Sequence, residues 1–270
     1  SIAPTLAPKQ LSFFLIGFAI FFLIAQIPFK KLLKISPILY FGTIILLAIT
    51  LILAPITRGT SRWIDVLGIF AIQPSQIVIP TVSLFLLHTF QKKHLTRLKN
   101  LLLFLLITLI PAILILIEPD LGTTLVYLAS ISIIIFLSKT SLKHIFPLFL
   151  LTILGIFLAW NLILKPYQKS RITSFISPND SQGTGYNARQ SLIAVGSGKL
   201  LGKGLGQGIQ SHLRFLPERQ TDFIFASFAE EFGFIGSSLI IFLYFTLVFI
   251  LISTANRSKN ELEKKFCYVV

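Results

Sequence analysis

Residues 101–137 read LLLFLLITLIPAILILIEPDLGTTLVYLASISIIIFL. Two apolar runs, Leu101 to Ile117 and Leu121 to Leu137, flank the polar turn Glu118, Pro119 and Asp120. Each run is close to the roughly twenty helical residues needed to cross about 30 Å of hydrocarbon. Transmembrane strands would instead show alternating segments of about ten residues. Solid Leu, Ile and Phe therefore predict two membrane helices, with Pro111 kinking the first.

The same pattern extends in both directions. A first span covers about Leu11 to Pro28. Ser36 and Pro37 open a second that reaches about Ile56, and Pro74 and Ser75 open a third that ends in QKKHLTRLK. Beyond the quoted pair, a sixth span covers about Ile145 to Leu164. A seventh begins near Asp222 and stops before NRSKNELEKKF. The expected fold is thus an all-α polytopic membrane protein with about seven transmembrane helices, residues 1–270 forming one membrane domain. A hydrophobic content of 54%, a charged content of only 13% and a mean hydropathy of +0.84 agree with this class.

In a soluble chain a net charge of +14 would point to nucleic acid. Here the rule that cytoplasmic loops collect Lys and Arg accounts for most of it, so nucleic acid is not an expected partner. Lys30, Lys31 and Lys34 follow the first span; Lys92, Lys93, Arg97 and Lys99 follow the third; Lys139 and Lys143 follow the fifth. Arg257, Lys259, Lys264 and Lys265 follow the seventh. These thirteen of 24 basic residues mark inner ends, and the short outer segments hold only Lys9, Arg58 and Arg62. Cys267 is the single cysteine, which excludes an internal disulfide, and the four histidines lack ligand spacing. No metal ligands are assigned. The chain contains no methionine, even at position 1, and is read as part of a longer protein.

The remaining eight basic residues all lie in Lys165 to Thr221, the one long polar segment, which this topology places outside the membrane. Loops of that length are commonly functional. Within it, TGYNARQSLIAVG reads as a short helix with Thr184 or Asn187 near its start and Gly196 as its stop. Either Tyr186, Ile193 and Ala194 face lipid with Arg189 and Gln190 toward water, or the helix packs within the loop. GSGKLLGKGLGQG follows, with a spacing that fits no nucleotide-binding loop. It predicts successive turns with accessible N–H groups that would cradle an anion, Lys199 and Lys203 adding charge.

Five acids stand where polar loop meets apolar span. Asp222 follows FLPERQT and could simply cap the helix after it. Asp120 has the same two readings, cap or cavity wall, with Glu118 beside it. Glu230 and Glu231 lie about two turns into an apolar helix and must snorkel, pair or line a polar cavity; Arg214 and Arg219 are available partners.

RWIDVLGIFAIQPSQ, EPDLGTT and GYNARQSLIAVGSGKLLGKGLGQGIQSHLRFLPERQTDFIFASFAEEFGFIG, in this order, resemble the shape, elongation, division and sporulation family. Its RodA and FtsW branches are polytopic peptidoglycan glycosyltransferases, and GIQSHLRFLPERQTDFIF is closer to RodA. The resemblance implies a ten-helix bundle of which this chain begins just after the first helix and stops near the ninth. It implies polymerisation of lipid II, an undecaprenyl-pyrophosphate-linked disaccharide-peptide, at the outer face of the cytoplasmic membrane, with a class B penicillin-binding protein as partner. Asp222 matches the family's essential acid and would act as general base. Arg62 and Trp63 match its outer-loop pair, and Asp120 its PDLGT acid near a central cavity. Lys199, Lys203, Arg214, Glu218 and Arg219 fall in the same substrate-facing loop. The four cations there, or a divalent cation such as Mg or Mn, would balance the leaving pyrophosphate. One departure stands out: the family's QPSELAK is QPSQIVI here, with Gln76 and Ile79 for Glu and Lys. The same acids near the bilayer also suit a lipid II flippase, and the lost pair a non-catalytic scaffold for the penicillin-binding protein.

Overall fold

The computed structural model describes residues 6–53, 62–66, 70–91, 93, 95–138, 150, 160–161, 169, 173, 184–208 and 221–270. The chain is an all-α membrane fold, with one small two-stranded ladder among the described residues. It divides into two compact units, residues 1–144 with 254–270, and residues 145–253. Most of the sixth expected span and much of the loop before Thr184 lie outside the described residues, as do Arg214, Glu218 and Arg219.

In the first unit, α1 (Leu6–Ala25) and α2 (Phe29–Leu53) precede a hairpin of β1 (Ile64–Val66) and β2 (Phe70–Ile72), paired antiparallel with Asp65 opposite Ala71. A 3₁₀ turn, Pro74–Ile77, leads into α3 (Val78–Thr89). Then come α4 (Leu98–Ile117) and α5 (Leu121–Leu137), so the quoted pair forms as read. In the second unit lies α6 (Thr184–Ser197), followed by α7 (Ile224–Arg257), which ends just beyond it. The chain closes with α8 (Glu261–Val269) in the first unit. Among the described residues, three helices are long and apolar enough to span a bilayer, within α2, α4 and α7, and α1 and α5 contribute shorter apolar helices. The third expected span is only the 12-residue α3. It sits at the centre of its unit, burying Val78, Val82 and Leu86 completely against α2, α4 and α5. A helix enclosed by protein need not match the hydrocarbon thickness.

Two features depart from the sequence reading. The second span starts at Phe29, so FKKLLK is helical and Pro37 lies inside α2 rather than at its head. Pro37 has no N–H for the carbonyl of Leu33, four residues back. Ser36 Oγ donates to that carbonyl at 2.7 Å and so supplies the lost partner. Secondly, α7 is interrupted at Gly233, whose backbone (φ 66°, ψ −161°) is not helical.

Pro111 is handled across helices rather than within one. It frees the carbonyl of Ile107 in α4, and the buried Tyr40 hydroxyl of α2 donates to that oxygen at 3.0 Å. The next carbonyl, Thr108, accepts from the buried Tyr127 hydroxyl of α5 at 2.9 Å. The proline site is thus a junction of three helices, and Tyr40 and Tyr127 belong to the apolar core that surrounds it.

Removing the Tyr40 hydroxyl leaves a buried carbonyl without that donor, which costs about 1–2 kcal/mol. Y40F should therefore lower the thermal midpoint of the detergent-solubilised protein. In a P111A background the backbone N–H restored at that position serves Ile107, so Y40F should cost less there. Equal losses in both backgrounds would contradict the assignment.

Candidate functional site

Two polar clusters contain the predicted residues that the structure describes, one in each unit. In the first unit, Asp120 caps α5, its Oδ1 accepting from Thr123 N at 3.2 Å and its Oδ2 from Thr123 Oγ1 at 2.8 Å. Capping is therefore real, but it is only part of the arrangement. Gln73 Nε2, at the head of the 3₁₀ turn, donates to Asp120 Oδ2 at 3.0 Å and is also 3.0 Å from Ser75 Oγ. Arg62 Nη1 stands 3.6 Å from Asp120 Oδ1, while its Nε donates to the Glu118 carbonyl at 3.2 Å and its Nη2 to that of Pro119. One guanidinium thus holds the whole Glu118–Pro119–Asp120 turn. Its neighbour Trp63 is exposed, as an interfacial anchor should be.

Glu118 is buried, and among the described residues neither carboxyl oxygen has a hydrogen-bond partner. Burial, with the charge of Asp120 added and Arg62 opposing, pushes its pKa from the ordinary 4.5 up to about 7. The folded state then holds a proton that the unfolded state releases between pH 4.5 and about 7, so stability falls as pH rises through that window. Glu118→Gln should abolish this dependence. Unfolding midpoints of the two proteins should converge near pH 5 and separate by pH 8, with the variant the more stable; a constant difference would refute the assignment.

Gln76 is exposed, and its Nε2 lies 3.4 Å from Gln73 Oε1. Ile79 is half-buried against the main core. The position that resembles a family acid thus joins the Gln73–Asp120 chain as a neutral amide, and the position that resembles a lysine has become core.

In the second unit the glycine-rich segment makes the turns expected of it, with positive φ at Gly202, Gly204 and Gly206, and at Lys199. The N–H groups of Lys203 and Gly204 are nevertheless not available to an anion. They donate to the carbonyls of Glu230 and Glu231, both at 3.0 Å. In an unbroken helix those carbonyls would accept from Phe234 and Ile235. The break at Gly233 redirects these two N–H groups to the carbonyls of Lys199 and Leu200, at 2.8 and 3.2 Å. Two ladder bonds are exchanged for four to the loop.

The approach is so close that a Cβ on Gly202 would lie 2.1 Å from Glu231 O, and one on Gly198 2.0 Å from Ala229 O. Gly196, by contrast, has open space around it within α6. G202A should therefore destabilise the protein by about 1–3 kcal/mol. G196A should be neutral or stabilising by about 1 kcal/mol, since Ala is the better helix former. Thermal unfolding in detergent compares them, and similar shifts for both would exclude this packing.

Side chains reinforce the clamp. Lys203 Nζ lies 2.9 Å from Glu230 Oε1, and Glu230 is completely buried. Lys203 therefore answers a buried acid instead of standing free, whereas Lys199 is exposed. Ala194 of α6 is buried with Ala226, with Phe223 packed against both. Ala194 thus makes a packing contact rather than facing lipid, while Ile193 is exposed. Asp222 occupies the turn 221–223, exposed, immediately before α7. Sequence reasoning missed Gln73, Ser75 and the pairing of Glu230 with Lys203. A glycine at 233 within an apolar helix, matched by the closely spaced Gly198 and Gly202, was the available signal. Among the described residues no three His, Cys, Asp or Glu side chains gather where they could hold a metal ion.

The model of the FtsW, RodA and SpoVE family, described as "Cell cycle protein", matches residues 3–270. The chain belongs to this family. It is 37% identical over 265 residues to the "Probable peptidoglycan glycosyltransferase FtsW" of Wigglesworthia glossinidia brevipalpis, covering 96% of this chain and 68% of that one. It is 38% identical over 234 residues to the peptidoglycan glycosyltransferase MrdB of Escherichia coli K12, covering 86% of this chain and 63% of that one. The chain thus spans about two thirds of the length of these curated relatives. A chain from a peptidoglycan synthase complex that coordinates polymerization and crosslinking superposes with a TM-score of 0.80 at 26% identity, over 99% of this chain and 75% of that one. RodA of Thermus thermophilus shares the fold, with a TM-score of 0.67 at 22% identity over 98% and 71% of the two chains.

Proposed function

We propose that this chain supplies the catalytic membrane portion of a peptidoglycan glycosyltransferase, which polymerises lipid II at the outer face of the cytoplasmic membrane with Asp222 as general base. The observation that carries this reading is the setting of Asp222, an exposed carboxylate directly before a long apolar helix. A lipid-linked sugar has its chain in hydrocarbon and its reacting atoms at the surface, so an acid at that boundary is where the chemistry needs it. The names of the relatives and the likeness to a synthase complex support the same activity.

In the proposed reaction the 4-hydroxyl of one sugar attacks the anomeric carbon of another that carries polyprenyl pyrophosphate. The new glycosidic bond forms as the bond to the pyrophosphate oxygen breaks, the electron pair leaving with the pyrophosphate. Asp222 takes the hydroxyl proton. Lys199, exposed in the same unit, is the described cation for the leaving group, with Arg214 and Arg219 the further candidates. Lys203 is tied to Glu230 and is the weaker candidate. A divalent cation such as Mg or Mn is a further proposed source of positive charge. The described residues offer no cluster of three His, Cys, Asp or Glu side chains for one. Arg62, Trp63 and Asp120 are proposed to border the substrate path, and a class B penicillin-binding protein is the proposed crosslinking partner.

Polymerisation of labelled lipid II by the full-length protein with its partner tests the base. Asp222→Asn should reduce glycan formation by about a hundredfold or more, the usual scale for general-base loss. Equal chain formation would sink the assignment. Movement of lipid II across vesicles with no polymerisation would instead favour a flippase, and binding of the penicillin-binding protein with neither activity a scaffold.

A further inference from the structure

The first stretch of α7, Ile224 to Phe232, is pinned at both ends by contacts that Asp222 itself does not make. At its start, Phe223 and Ala226 pack against Ala194 of α6. At its far end, Glu230 lies six residues on from Ile224, about 9 Å along the axis. There the Lys203 ammonium meets the Glu230 carboxylate at 2.9 Å, and the backbone of Lys199 to Gly204 exchanges four hydrogen bonds with residues 230–235 across Gly233. Glu230 is fully buried while its partner is about a quarter exposed, so a cation is brought to the acid rather than the acid to water.

A helix merely crossing a membrane would have no reason to break its ladder and bury a carboxylate. It could continue through residue 233 with an alanine. The broken form makes sense if the short segment has to be held independently of the long apolar stretch that follows. The residue just before its packed N-terminal end, one position ahead of Phe223, is Asp222.

We propose that Lys203 and Glu230 are positioning residues that fix the Asp222 turn, the pair and the glycine loop acting as one clamp across the Gly233 break. This inference rests on the reading of Asp222 as the base and adds to it a reason for the base's geometry. Misplacing a catalytic group by an ångström can cost about a hundredfold in rate. Loss of the clamp should therefore reduce turnover while leaving substrate affinity nearly unchanged.

The test uses the full-length protein in lipid vesicles with its partner, and two readouts. K203M and E230Q should each reduce kcat for lipid II polymerisation by about tenfold with little change in KM. K203R, which keeps the charge, should recover most of the rate. Independently of activity, a spin label on D222C in a C267S background should report a more mobile turn in K203M and in E230Q, and a turn like the parent's in K203R. E230Q keeps the shape and a hydrogen-bond acceptor, so it guards against simple misfolding. Unchanged label mobility in both variants would overturn the proposal, as would losses confined to KM. Polymerisation that survives D222N while the label still loosens would refute the base reading alone and leave the clamp standing.

Discussion

A carbonyl that loses its helical donor in an apolar medium has no water to turn to, and among the described residues three places illustrate how such carbonyls are met. Pro37 frees that of Leu33, Pro111 that of Ile107, and the break at Gly233 those of Glu230 and Glu231. Each is answered differently. Ser36 answers from the preceding residue, Tyr40 from a neighbouring helix, and Lys203 and Gly204 from a loop. The distance of the answering group decides what the irregularity accomplishes. A local hydroxyl lets the helix continue, a tyrosine joins two helices, and a loop binds a separate segment.

This ordering explains why the glycines matter more as absences than as hinges. Gly198, Gly202 and Gly233 meet backbone atoms at distances no Cβ would permit, and the four hydrogen bonds around Gly233 require that approach. Positive φ at Gly202 and Gly233 adds a conformational demand in the same place. The resulting clamp is local to its unit and needs no partner protein for its own satisfaction.

Much of the fold was legible because hydrophobic runs of near-membrane length have few alternatives. The boundaries of α5 match Leu121 to Leu137 residue for residue, and α6 starts at Thr184, the earlier of its two start signals, Thr184 and Asn187. The start of α2 was not legible. A Ser-Pro pair reads as a helix opening, and only the hydroxyl-to-carbonyl contact of Ser36 shows how the proline is tolerated inside. Within the site, the isolated acids were conspicuous in an apolar setting, but their partners were not. Glu230 could have been matched with any cation of the long loop, and choosing Lys203 requires knowing that the glycine turns fold onto Gly233. The Arg62 contacts with the Glu118 turn likewise join residues more than fifty positions apart, with no periodicity to announce them.

Asp120 and Asp222 illustrate how environment separates two chemically identical groups. Asp120 is buried, accepts from Thr123 and Gln73, and faces Arg62, so its oxygens are already engaged. Those contacts commit its oxygens to holding the turn ahead of α5. Asp222 is exposed at the boundary of an apolar helix, open to an incoming hydroxyl. The neutral Gln76 fits this division. As an amide it adds no second negative charge beside Asp120, and Ile79, half-buried against the main core, adds no positive one.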